Sequence, residues 1–349
     1  MHNKAFFRML GDFYIRGIAS QETRMPTRRT AFALLAALAG AIAAPTALAQ
    51  AAYPNKPIKI VVPFTAGGSS DVQGRMLADA LGRLYGQSVI VDNRPGAGGH
   101  IGGKAVADAA PDGYTVLLGS IGLHATYGVY KKLPYDPSRD LKIVTVLAEM
   151  PHVVVAHNAL PVANLKELTA LAKSEPDKIN FGSAGVGSSV HMMGELYKLV
   201  SGAPITHVPY KGSSAALNDL MGGQIQLMFE NPPTVIPHVK AGKLKALAVT
   251  GKQRIAALPD VPTGVESGYP EFQATSWTTI AVGAKVPDAI ANQLNADIRK
   301  VVGSPEFRKG LEDQGMTPVV NTRDAAATFI ATEKAKWDKV IAQGKLNVD

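Results

Sequence analysis

The sequence predicts an α/β protein of two lobes with a cleft between them. Three observations carry that reading. Strand-like and helix-like segments alternate from Ile58 onward, the signature of βαβ units and a parallel sheet. One device, an apolar strand followed by a glycine-serine turn and a helix, occurs near residue 60 and again near residue 180. The chain is also long enough for two ordinary domains: 349 residues, 46% hydrophobic and 18% charged, a composition that supports a sizeable core.

Taken in order, the first stretch is a targeting segment. Arg28-Arg29 precede an apolar run over 31–44, and small residues at Ala47 and Ala49 follow. This is a secretory signal at residues 1–49 with cleavage after Ala49, and Met25 is the more natural start. The run is too short for a comfortable membrane span, so the exported chain is expected in a periplasm. Arg28-Arg29 also fits a twin-arginine route. Residues 1–49 hold six of the 36 basic and two of the 28 acidic residues, leaving 30 and 26, a net of +4. That mild charge, with no basic cluster interleaved with aromatics, argues against nucleic acid. There is no cysteine, which excludes disulfides, thiolate zinc sites, cysteine nucleophiles and lipidated cysteines.

Residues 58–62 read as a buried strand. The turn Thr65-Ala66-Gly67-Gly68-Ser69-Ser70 leads into a helix from Asp71. A strand at 88–93, a turn at 94–99, a helix at 100–110 and a strand at 114–119 follow. Leu133-Pro134-Tyr135-Asp136-Pro137 reads as a rigid surface link, and strands at 143–147 and 153–156 come next. The alternation then restarts: helices at 164–173, 188–200, 214–221 and 234–241 lie between strands at 179–182, 205–208, 225–229 and 246–249. Residues 258–270, rich in Pro and Gly, make an irregular connection. A strand at 275–282, helices at 288–302 and 305–314, a strand at 316–320 and a helix at 323–342 close the chain. The expected division is 51–150 plus 276–349 for the first lobe and 151–275 for the second. A chain that crosses twice makes a hinge, with ligands at the C-terminal ends of the strands.

Free N–H groups and the positive end of a helix dipole meet at such strand-turn-helix junctions, which makes them anion sites. The first supplies Phe64, Thr65, Gly67, Gly68, Ser69, Ser70 and Asp71; the second supplies Ser183, Gly187 and Ser188. Asp71 has alternative uses, as helix cap or as partner of Arg75 four residues on. Ser120 joins the set from the end of its strand. His191 either serves the second turn or packs beneath it. Tyr210-Lys211-Gly212-Ser213-Ser214 opens another helix; Lys211 either neutralises a ligand carboxylate or stays a solvated charge. Glu230-Asn231 ends a strand, and the pair either meets a ligand hydroxyl or ammonium or is ordinary loop polarity.

Catalytic and nucleotide readings fail on the motifs. Gly182 to Gly187 has the spacing of a P-loop, but Ser188 stands where the lysine would be needed, and no Gly-x-Gly-x-x-Gly fingerprint occurs. Neither a Gly-x-Ser-x-Gly elbow nor a His-Glu-x-x-His pair is present. The expectation is binding without catalysis, with no cofactor and no metal.

These blocks resemble one family across essentially the whole exported chain. They read Val62-Pro63-Phe64-x-x-Gly67-Gly68-x-x-Asp71, Asn93-Arg94-Pro95-Gly96-Ala97-Gly98-Gly99, and Leu133-Pro134-Tyr135-Asp136. Further on come Gly182-Ser183-x-Gly185-x-Gly187-Ser188-x-x-His191, His207-Val208-Pro209-Tyr210-Lys211-Gly212, Leu247-Ala248-Val249-Thr250 and Leu258-Pro259-Asp260-Val261-Pro262-Thr263. The chain resembles the solute-binding receptors of the tripartite tricarboxylate transporters, the Bug proteins. The resemblance implies a Venus-flytrap periplasmic-binding-protein fold, closing on a di- or tricarboxylate, acidic amino acid or aromatic acid. It also implies docking on the membrane permease subunits of the transporter, with loops 64–70 and 183–189 gripping the ligand carboxylate. Leu141 in place of a common Phe, and Gly264 with Ser267, depart from the pattern outside those loops. The protein is expected to act as a monomer; a ligand-sensing receptor for a signalling partner is the alternative.

Overall fold

The computed structural model describes residues 53–347; the expected export segment lies outside the described residues. In the first lobe, β1 (Ile58–Val62) leads to α1 (Ser69–Tyr85), β2 (Val89–Asn93), α2 (His100–Ala107) and β3 (Thr115–Ser120). The short helices α3 (Ile121–His124) and α4 (Pro137–Asp140) precede β4 (Leu141–Pro151). In the second come β5 (Val153–His157), α5 (Leu165–Ser174), β6 (Asn180–Ser183), α6 (Ser189–Ser201), β7 (Thr206–Pro209), α7 (Ser213–Met221), β8 (Leu227–Glu230), α8 (Pro232–Lys240) and β9 (Leu244–Val249). The chain ends with β10 (Thr275–Gly283), α9 (Asp288–Gly303), α10 (Pro305–Glu312), β11 (Thr317–Pro318) and α11 (Arg323–Gly344).

Two sheets result, a six-stranded one in the order β11-β4-β10-β3-β1-β2 and a five-stranded one in the order β7-β6-β8-β5-β9. The expected βαβ units supply the parallel pairs of both sheets, and each sheet is mixed. β10 runs antiparallel to both β3 and β4, and β5 antiparallel to both β8 and β9. The cause is the route of the chain. β5 and β10 are the first strands after each crossing, so they start at the cleft and run away from it. β1, β3 and β4, and β6, β8 and β9, finish there.

The alternating apolar residues of β1 explain its place. Ile58, Ile60 and Val62 pack with Leu77 and Leu81 of α1, Val116 and Leu118 of β3, and Leu294 and Ile298 of α9. A second core joins Val153, Val155 and Met228 to Leu217 and Leu220 of α7. A third runs through both lobes: Val146 and Trp277 pack with Phe181, Tyr197 and Phe229 and with Ala326, Trp337 and Ile341 of α11. Both indole N–H groups, of Trp277 and Trp337, donate to Glu333 Oε2 at 3.2 and 3.3 Å, which fastens α11 to β10. Burial of each of these aromatics contributes about 3 kcal/mol. The last helix therefore touches both lobes as well as the sheet it returns to.

The segment at Leu133-Pro134-Tyr135 also differs from the expected surface link. Tyr135 is buried, and its hydroxyl meets His100 Nδ1 at 3.0 Å.

Candidate functional site

The strand ends converge on a closed pocket between the lobes. It is lined by Phe64, Gly68, Ser69, Ser70, Ser120, Met150, Ser276 and Thr278 of the first lobe and Ala184, Ser188, Ser189, Val190, Ser213 and Asn231 of the second. In this closed form the space left for the centre of a water molecule is only ≈ 30 Å³. Four helices of nine or more residues begin at its wall: α1 behind Gly68, α6 behind Ser188, α7 behind Gly212 and α8 behind Asn231. In α1, α6 and α7 first-turn N–H groups have no partner inside the helix; α8 opens on Pro232-Pro233, which carry no N–H, so it brings only the positive end of its dipole. Hydroxyls surround them, and among the described residues no Lys, Arg, His, Asp or Glu lines the pocket. Ser120 Oγ and Asn231 Oδ1 are buried there without a partner in the protein.

The first turn is held from behind. Asp71 is 4% exposed; its Oδ2 accepts the Gly67 N–H and Arg75 Nε, both at 3.0 Å, and its Oδ1 accepts Asn93 Nδ2 at 3.0 Å. Asn93 Nδ2 also donates to the carbonyl of Phe64 at 3.1 Å. Burial works against the charge on Asp71, but the bonds from Arg75, Gly67 and Asn93 hold its carboxyl below the ordinary range. Asp71 thus fixes the turn while pointing away from the pocket, and Asn93 gives a physical reason for the block that begins there. On the inner side Ser69 Oγ accepts Gln73 Nε2 at 3.2 Å, and Thr278 Oγ1 donates to Gln73 Oε1 at 2.6 Å.

The second turn has an equivalent brace. The Ser188 hydroxyl caps α6, accepting the His191 N–H at 3.4 Å and donating to the Gly185 carbonyl at 2.6 Å. His191 Nδ1 accepts the Gly187 N–H at 3.1 Å. Burial, with His207 and Lys198 nearby, pulls the His191 imidazole far below its ordinary range, so it stands neutral. Its 3.7 Å approach to Glu195 is therefore no ion pair, and Glu195 pairs instead with Lys198 at 3.0 Å. Ser183 is fully buried, with its Oγ 2.6 Å from His207 Nε2 and accepting the Gly185 N–H at 3.1 Å.

The structure therefore divides the sequence-derived residues. Phe64, Gly68, Ser69, Ser70, Ser120, Ser188 and Asn231 line the pocket. Gly67, Asp71, Ser183, Gly187 and His191 shape the turns behind it. Thr65 packs against Gly212 where the lobes meet. Tyr210 and Lys211 lie in a separate hollow with Ala97, Gly98, Tyr130, Gly185, Val186 and Pro209; Lys211 is exposed, and the Tyr210 hydroxyl donates to Asp219 at 2.7 Å. Ala184 and Ser189 fall within the expected gripping loop 183–189, while sequence reasoning missed Met150, Val190, Ser213, Ser276 and Thr278. Ser189 and Ser213 sit inside the quoted turns. Ser276 and Thr278 carry only a weak signal, because Thr275 and Thr279 of the same strand also bear hydroxyls.

The lobes touch around the pocket. Tyr130 donates to the Val186 carbonyl at 2.8 Å, Thr126 Oγ1 to the Gly187 carbonyl at 2.6 Å, and Ser214 Oγ to the Ala66 carbonyl at 2.8 Å. This is a closed cleft.

Comparison with known proteins gives a consistent picture. The model of the tripartite tricarboxylate transporter family receptor matches residues 74–346. Protein BugT of Bordetella pertussis is 39% identical over 293 residues, 83% of this chain and 90% of its own. An R. palustris protein solved with adipate superposes with a TM-score of 0.82 at 35% identity, covering 84% of this chain and 98% of that one. The periplasmic binding protein BugD gives 0.81 at 32%, covering 84% and 99%. MatC from Rhodopseudomonas palustris with bound malate gives 0.79 at 31%, covering 83% and 100%.

Proposed function

Since the chain belongs to the tripartite tricarboxylate transporter receptor family, a family of solute-binding receptors and not of enzymes, we propose that it captures a small organic acid. In this reading it works in the periplasm and delivers the acid to the membrane subunits of such a transporter. The observation that carries the ligand class is the pocket wall: three helix N-termini with N–H groups, the dipole of a fourth helix, and a ring of hydroxyls, without a charged side chain among the described residues. A helix N-terminus favours an anion by about 0.3–1 kcal/mol, and more when partly buried, so the N–H-bearing ends of α1, α6 and α7, with the dipole of α8 added, compensate a carboxylate without a cation. Preorganised N–H groups also select for planar oxygen pairs. The adipate and malate in the two related structures support a dicarboxylate. Among the described residues, no helix is long and apolar enough to cross a membrane, which fits an exported receptor that depends on separate membrane subunits.

Ligand contacts from both lobes favour the closed form, so binding and hinge closure are one equilibrium. The test is thermal unfolding against a panel of di- and tricarboxylates, acidic amino acids and aromatic acids. A true ligand at a thousandfold over its dissociation constant adds about 4 kcal/mol, a shift of several degrees at this size. If mass spectrometry of the purified, denatured protein finds no bound acid and no panel member shifts the transition, the carboxylate assignment fails.

A further inference from the structure

Directly behind the pocket lies a carboxyl group that the ligand reading does not use. Glu230 ends β8 and is fully buried. Its Oε1 accepts the Asn231 N–H at 2.8 Å and Asn231 Nδ2 at 3.3 Å, while its Oε2 has no partner in the protein. The Ser213 hydroxyl faces the same carboxyl. Ser213 and Asn231 both line the pocket, so Glu230 stands one side chain behind the ligand.

The packed elements bring no cation to it. On β5 its strand partner is Val153, and the neighbouring His152 is buried and neutral. On α6, His191 is neutral and bound to the Gly187 N–H, while Glu195 and Lys198 pair with each other. Asp219 of α7 accepts from Tyr210, and His238 and Lys240 lie in the last turn of α8, at the end remote from its N-cap Asn231. Lys245 of β9 bonds the Leu160 carbonyl. From the first lobe, Asp71 and Arg75 pair with each other. Burial pushes the Glu230 carboxyl up to about 7, against the pull of Ser213 and Asn231.

The charge on Glu230 decides what the pocket wall offers. When it is ionised, the Ser213 hydroxyl and the Asn231 amide N–H turn back toward it, and their oxygens face the ligand. A second negative charge beyond them would also meet it across a poorly screened gap. When it is neutral, those donors are released toward the pocket. We infer that Glu230 is a specificity-determining positioning residue, and that an anionic ligand enters the pocket together with one proton taken from solvent onto Glu230. This rests on the carboxylate reading above.

The experiment is calorimetric titration of adipate, malate and succinate between pH 7 and 9, where both carboxyls of each acid are ionised, with the wild-type protein and with Glu230→Gln and Glu230→Asp. For whichever acid binds, wild-type affinity should fall roughly tenfold per pH unit above neutrality. Titration in buffers of different ionisation enthalpy should register uptake of about one proton. Glu230→Gln should show no slope, and Glu230→Asp, which keeps a titratable carboxyl, should retain one. A flat wild-type profile, or the same slope in Glu230→Gln, overturns the role of Glu230 and leaves carboxylate binding standing. Failure of all three acids to bind at every pH, together with no acid found bound in the purified protein, overturns both.

Discussion

Gly98 offers the sharpest test of closure. It lies in the turn before α2, at φ +60°, where a Cβ would overlap the Val186 carbonyl of the facing lobe and come to 2.7 Å from the Tyr130 hydroxyl. In Gly98→Ala the left-handed backbone costs about 1 kcal/mol, but that strain is present in open and closed forms alike and cancels from binding. The overlap with Val186 exists only in the closed form. Relieving it requires the lobes to part by on the order of 1 Å, which removes the Tyr130–Val186 bond at 2.8 Å and stretches the Thr126–Gly187 bond at 2.6 Å. At about 1 kcal/mol each, losing both weakens binding by roughly 30-fold. Calorimetry on the acid that gives the largest thermal shift measures the affinity, and small-angle scattering with and without it measures closure. Wild-type affinity with a wild-type decrease in radius of gyration would refute the reasoning.

Three further outcomes are expected. Asp71→Asn loses charge-assisted bonds to Gly67 and Arg75 and should weaken binding by about fivefold, roughly 1 kcal/mol, read by the same calorimetry. Lys211→Met should leave affinity unchanged at moderate salt, because Lys211 is exposed and lines a separate hollow, not the pocket; a tenfold loss would place its ammonium at the ligand. Glu230→Gln should alter the pH profile of stability: the carboxyl is raised in the folded state from 4.5 to about 7, so the wild-type protein loses stability as pH climbs through that window. The loss is on the order of 3 kcal/mol, and urea unfolding at pH 5 and pH 8 should show it in wild type and not in the variant.

Much of this was legible in the sequence because local rules agreed with the fold. Ile58, Ile60 and Val62 alternate as a buried strand should, and Gly67-Gly68-Ser69-Ser70 supplies a turn and a helix start in the right order; in the structure α1 begins at Ser69. The second turn behaved alike, with Ser188 as a true cap. Strand direction was not legible, because β5 and β10 owe theirs to the route of the chain between lobes, which no local pattern records. Met150 looks like any core methionine until β4 delivers it to the pocket. Lys211 attracted attention as the one cation in a glycine turn, yet the turn aims it outward. Glu230 was readable as a ligand contact or as loop polarity but not as a buried carboxyl, since its burial comes from β5 and α7, distant in sequence.

The account's central claim is that a carboxylate is held by helix N-termini and hydroxyls without a cation. Calorimetry comparing the acid of largest thermal shift with its uncharged amide tests this most directly. The prediction is that the amide binds at least about a hundredfold more weakly, since it gives the N–H groups one acceptor where the acid gives two and lacks the charge the dipoles favour. Equal affinity for acid and amide would contradict it.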